Sequence, residues 1–128
     1  MSQQAFFLLM AGIWGGLGVI LGAFGAHGLK DRLTPDMLEI FEVGVRYQMF
    51  HAIALLAVAA GCASLWSSSW TSAACWAWMV GIVIFSGSLY ILAITGIRWL
   101  GAITPIGGVA FIIGWILLAI AAVKWQSV

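Results

Sequence analysis

The chain alternates long apolar stretches with short polar joints. Ala5 to Ala26 gives 22 residues without a charge, about 33 Å as a helix and enough to cross a hydrocarbon core. Three more stretches follow, from about Met49 to Trp66, Ala73 to Ala93 and Gly101 to Val123. Each falls in the length window of a membrane-spanning helix, and none shows the period-two alternation of a barrel strand. Lipid leaves an unpaired backbone group unsatisfied, so the pattern predicts an all-α membrane protein with four transmembrane helices in a compact bundle.

The joints differ in character. Residues 27–48 hold seven of the nine charged residues. Within them Thr34-Pro35-Asp36 reads as a helix start, with Thr as N-cap, Pro in the first turn and Asp at the positive end of the dipole. From there Asp36, Glu39, Glu42 and Arg46 share one side of a helical wheel, and Met37, Leu38, Phe41 and Val45 share the other. That predicts an amphipathic helix over about 35–48, lying in the interface and bending or running directly into the second span. Glu42 and Arg46 stand at i,i+4 in the favourable order. The second joint, WSSSWTS at 66–72, is uncharged and bracketed by tryptophans, as at a bilayer edge. The third, TGIRWLG at 95–101, is a tight turn with Arg98, after which Thr104-Pro105 repeats the helix-start signal. Lys30, Arg32, Arg46 and Arg98 fall in the first and third joints, against Lys124 near the C-terminus. The positive-inside rule then puts 27–48 in the cytoplasm and both termini outside.

Composition sharpens this picture. Hydrophobic residues make up 64% and charged residues 7% of 128, with a mean hydropathy of +1.14. A soluble domain carries about 25% charged residues, so this surface suits lipid. Five scattered basic residues form no phosphate-tracking patch, which argues against nucleic acid. Cys62 and Cys75 make no zinc pattern and read as small free hydrophobes. Ala23-Phe24-Gly25 loosely resembles a signal-peptidase site, but no Lys or Arg precedes the apolar run, so the first stretch reads as a mature helix. Gly18, Gly22 and Ala26 form a stripe of small residues, Gly12 and Gly16 begin a second, and Ala73, Ala77 and Gly81 make another on the third span, with Ala110 and Gly114 on the fourth. Such stripes let helices pack closely, within one chain or between two copies.

Four motifs in order, GAFGAHGL (22–29), YQMFHAIALL (47–56), FSGSLY (85–90) and TPIGG (104–108), make the chain resemble the small membrane proteins grouped as domain-of-unknown-function family 423. The resemblance covers essentially the whole chain. It implies a four-helix inner-membrane protein of bacteria, with relatives in eukaryotes, and implies no activity.

Few residues are candidates for chemistry. His51 lies about a turn inside the second span, on a stripe with Ile40, Gly44, Tyr47 and Ala54, and His27 ends the span before. An ionisable group in a span is a functional hypothesis by default. Two imidazoles near one bilayer face read either as a metal, haem or proton-relay pair or as interfacial histidines bonded to carbonyls or to Tyr47 and Gln48. Arg46 and Gln48 read as interface anchors or as a pocket for a headgroup or quinone. Ser86, Ser88 and Tyr90 lie in the third span, where hydroxyls bond the i−4 carbonyl or a neighbouring helix. No base adjoins the serines, TPIGG lacks the lysine of a phosphate loop, and all four acids lie in the first joint. The expectation is a non-enzymatic, multi-pass protein of the bacterial inner membrane, without metal or cofactor. It acts as a structural or accessory component of that membrane or of a complex within it, with lipids and a second copy or another membrane protein as partners. The alternative is a protein that binds or transports a lipid, quinone or haem at His27, Arg46, Tyr47, Gln48, His51, Ser86 and Tyr90.

Overall fold

Thr34 does cap a helix. Its hydroxyl accepts the Met37 amide at 3.3 Å, and Pro35 opens the first turn, where a missing N–H costs nothing. The computed structural model describes residues 1–125. Among them the regular structure is helical throughout: α1 (Gln3–His27), α2 (Pro35–Ala59), α3 (Ser69–Thr95) and α4 (Thr104–Lys124). One-turn 3₁₀ segments, Ala63–Ser67 and Arg98–Ala102, precede α3 and α4. Three helical segments are long and apolar enough to cross a bilayer: α1, α3 and Arg98–Lys124, which contains α4. The 25-residue α2 equals α1 in length, but Asp36, Glu39, Glu42 and Arg46 lower the hydropathy of its first half.

Here the expected elements need correcting. Of the two forms expected for 35–48, the helix does not bend away: those residues are the first half of α2 and run directly into the expected second span. Their apolar edge finds better partners than a headgroup layer, because α1 offers glycines. A Cβ on Gly25 would stand 2.9 Å from the Phe41 ring, and one on Gly22 would stand 3.3 Å from a Val45 methyl. The helix also stops at Ala59 rather than Trp66. The Gln4 amide bonds the Ala59 and Gly61 carbonyls, each at 2.8 Å, so α1 satisfies acceptors that a helix end leaves open. Beyond it the Trp66 indole donates to Val58 O at 3.2 Å, and the Thr71 hydroxyl to Leu65 O at 2.7 Å.

Three helix pairs are built the same way, a glycine facing a bulky side chain. Gly18, Gly22 and Gly25 of α1 meet Met49, Val45 and Phe41 of α2; Gly44 of α2 meets the Tyr90 ring; Gly81 of α3 meets Phe111, and Gly114 of α4 meets the Trp78 indole. The core between them centres on Phe7, Leu55, Trp78, Ile82 and Phe111. The stripes expected on the first and third spans are only partly used, since Ala26 and Ala73 are exposed. Midway along α3, Ile82–Ser86 winds as a π-turn. It lies where Gly107 of α4 presses against the Phe85 backbone and Ser86 bonds α2, and such local rewinding accommodates a close neighbour. Gly96, at φ +73°, ends α3 in the left-handed conformation, its N–H on Leu92 O at 2.8 Å.

Candidate functional site

Because α2 runs unbroken, its inward face carries Gly44, Gln48 and His51 along the middle of the bundle. Gln48 is 1% exposed and bonded at both ends of its amide: an N–H donates to Trp14 O of α1 at 2.9 Å, and its carbonyl accepts the Tyr90 hydroxyl of α3 at 2.6 Å. The Ser86 hydroxyl donates to Gly44 O at 2.6 Å, a carbonyl of α2. One polar line thus joins three helices.

His51 closes a second line. Its Nδ1 stands 2.8 Å from Tyr47 O, and its Nε2 stands 3.0 Å from the Trp115 indole nitrogen. An indole N–H only donates, so Nε2 is the acceptor and the proton sits on Nδ1. The ring lies on Phe111 at 3.7 Å between centroids and 11° between planes, and Trp78 and Trp115 approach its edges at 6.2 and 5.8 Å. Both ring nitrogens are used inside the chain.

His27 is elsewhere. It is exposed at the end of α1. The contacts of Gly18 with Met49 and of Gly25 with Phe41 set an antiparallel register that separates it from His51 by twelve residues of α2, about 18 Å along the axis. The two imidazoles therefore stand well apart along the bundle, where the sequence led to an expectation of neighbours. The cause is α2 itself, which runs unbroken and carries His51 sixteen residues on from Pro35. Arg46 is exposed on the outer side of α2. Tyr47 is 40% exposed; its ring packs on Phe85 at 4.8 Å while its carbonyl serves His51. Of the seven candidates, Gln48, Ser86 and Tyr90 are brought together, His51 stands above them with Tyr47 at its side, and His27 and Arg46 remain outside.

Several partners have no linear signal. Trp14 and Trp115 lie 34 and 64 residues from their acceptor or donor on α2. Thr104 does not cap α4. Its hydroxyl is buried against Ser88 Oγ at 2.6 Å, with Leu100 O at 3.3 Å, while Ile103 holds the cap position without a side-chain bond. Two buried indole N–H groups, of Trp14 and Trp78, have no acceptor. Both cysteines are free: Cys75 is buried in α3 and Cys62 is exposed in the second joint. There the Ser64 hydroxyl, 3.3 Å from the sulfur, holds the Cys62 thiol below its ordinary pKa. Among the described residues no group of three or more His, Cys, Asp or Glu is placed to hold a metal ion.

Comparison with known proteins agrees with the motifs. The family model described as a protein of unknown function, DUF423, matches residues 21–108. The UPF0382 membrane protein YwdK of Bacillus subtilis is 49% identical over 119 residues, covering 93% of this chain and 97% of that protein. A UPF0382 membrane protein of Staphylococcus epidermidis is 48% identical over 121 residues, 94% and 98% of the two chains. One of Haemophilus influenzae is 43% identical over 121 residues, 94% and 96% of the two. No solved structure matches. With most of its length matched by the family model and nearly all of it by the three membrane proteins, the chain belongs to the DUF423 family of membrane proteins.

Proposed function

We propose that this protein crosses the bacterial inner membrane four times and serves there as a non-catalytic structural or accessory component. The observation that carries this reading is the use made of the buried polar groups. Gln48, His51, Ser86, Ser88, Tyr90 and Thr104 all spend their hydrogen bonds on other parts of the chain. Nothing in that set pairs a nucleophile with a base, so the network holds helices together rather than performing chemistry. The fourth crossing is α2. Its support is the packing of α1 along it from Phe41 to Ala59, which leaves no room for one helix to span while the other lies flat.

A second reading, accommodation of a lipid or quinone chain, takes its support from a different place than His27 and His51. A groove of about 300 Å³ between α1 and α3 is lined by Trp14, Trp76, Met79, Val80, Val83 and Ile84, beside the unpartnered Trp14 N–H. Purification from native membranes under mild detergent tests both readings. The structural reading expects a reproducible co-purifying membrane protein and a colourless preparation. A Soret band abolished by His51→Ala would overturn it, and a stoichiometric lipid or quinone lost on Val80→Trp would establish the second reading instead.

A further inference from the structure

The outer side of α2 carries charge at a height where its neighbours expose apolar side chains. Arg46 and Glu42 are exposed. The register of Gly22 with Val45 and Gly25 with Phe41 puts them level with Ile20 and Phe24 of α1, which are 64% and 49% exposed. Beyond them, Ser86 on Gly44 O and Gly107 on Phe85 put Ile106 and Val109 of α4 at similar height, 60% and 53% exposed. His27, where α1 ends, is level with about Glu39, so Arg46 lies seven residues deeper, about 10 Å. Charges at that depth are costly unless paired. An anionic headgroup drawn to Arg46 would also meet Glu42 and Glu39 on the same side, which disfavours it.

A second feature lies on the same side of the molecule. Three glycines of α1, Gly12, Gly15 and Gly16, would meet nothing within 4 Å if given a Cβ. The fold does not need them small, although glycine in a helix costs about 1 kcal/mol relative to alanine. Trp14 and Phe6 turn toward Trp76 of α3, and Gln4 and Gly22 touch α2. The three glycines follow Gln4 and Gly22 around the helix, onto the flank that continues into the outer side of α2. Small residues facing lipid allow a neighbouring backbone to approach.

We propose that this α1–α2 face is where a second copy of the chain docks. A two-fold axis along the membrane normal relates the copies, and Glu42 of each pairs with Arg46 of the other. Opposite charges one turn apart on a face that meets itself are complementary twice over, as an isologous contact requires. The open glycines let the backbones close to the distance such pairs need. This inference rests on α2 being a membrane crossing, and the test separates the two.

In a Cys62→Ser, Cys75→Ala background, Ile53→Cys places a thiol two turns above Arg46, and Ile112→Cys places one on the outer side of α4. Oxidation of native membranes with copper phenanthroline is expected to link the Ile53→Cys chains as dimers and to leave Ile112→Cys monomeric. Glu42→Arg alone and Arg46→Glu alone each set like charges against one another across the contact and are expected to reduce the Ile53→Cys dimer about thirtyfold or more, and the double exchange to restore it. Dimers at Ile112→Cys in equal yield, or a double exchange that stays monomeric, would overturn the proposal. A membrane-impermeant maleimide reads the premise separately. If Ile53→Cys is shielded but unlinked, only the dimer fails; if it is labelled, the crossing and the dimer fail together.

Discussion

A carbonyl on one side and an indole N–H on the other hold His51 through both ring nitrogens. Trp115→Phe keeps the apolar contact with Trp78 but strands Nε2 as a buried acceptor. It is expected to cost about 1–2 kcal/mol, measured as a lower thermal midpoint in detergent, with binding properties unchanged. If Trp115→Phe instead created an absorbing metal complex, His51 would be a masked ligand and the structural account would fail. Gln48 is the other residue whose role only contacts define. Gln48→Leu removes two interhelical bonds and leaves the Tyr90 hydroxyl without its acceptor, while Trp14 O keeps its place in the α1 ladder. The expected loss is about 1–2 kcal/mol, at the upper end of what intramembrane bonds contribute. Neither partner was legible in the sequence, because Tyr90 and Trp14 stand 42 and 34 residues from Gln48.

At the scale of elements, the glycines sort by what faces them. Gly107 lies against the Phe85 backbone, which has no rotamer to yield, whereas Gly12 faces open space. Gly107→Ala is therefore expected to lower stability by about 2 kcal/mol or more through overpacking. Gly12→Ala is expected to leave the monomer unharmed or slightly stabilised. Thermal midpoints of the two variants in the same detergent check this, and equal losses would contradict the register of α3 and α4. The start of α2 was readable from Thr34-Pro35 because an N-cap is a local device. The same dipeptide at 104 also opens a helix, but without the cap, since Thr104 spends its hydroxyl on Ser88. The π-turn in α3 left no trace in composition, because it answers to α4 and α2 on either side.

The whole molecule places Cys62 beyond the end of α2 and Cys75 inside α3. On the orientation that the positive-inside rule predicts, with 27–48 cytoplasmic, an impermeant maleimide added to intact cells is expected to label Cys62 and spare Cys75. Labelling seen only with inverted vesicles would reverse the orientation. The Ser64 hydroxyl lowers the Cys62 pKa, so more of the reactive thiolate is present near neutral pH. Ser64→Ala should raise that pKa and shift the rate–pH curve for labelling to higher pH.

Hydrophobic runs, their lengths and the cap at Thr34 follow from interactions within a few residues, where helical periodicity and transfer into lipid act, and the sequence alone determined them. So too did the family, through motifs spread along the chain. Which side of α1 faces inward, whether residues 35–48 bend away from the next segment or continue into it, and which groups meet Gln48 and His51 were decided only by tertiary packing. Those outcomes depend on glycines meeting large side chains across helices at one register, and that register is a property of pairs of helices.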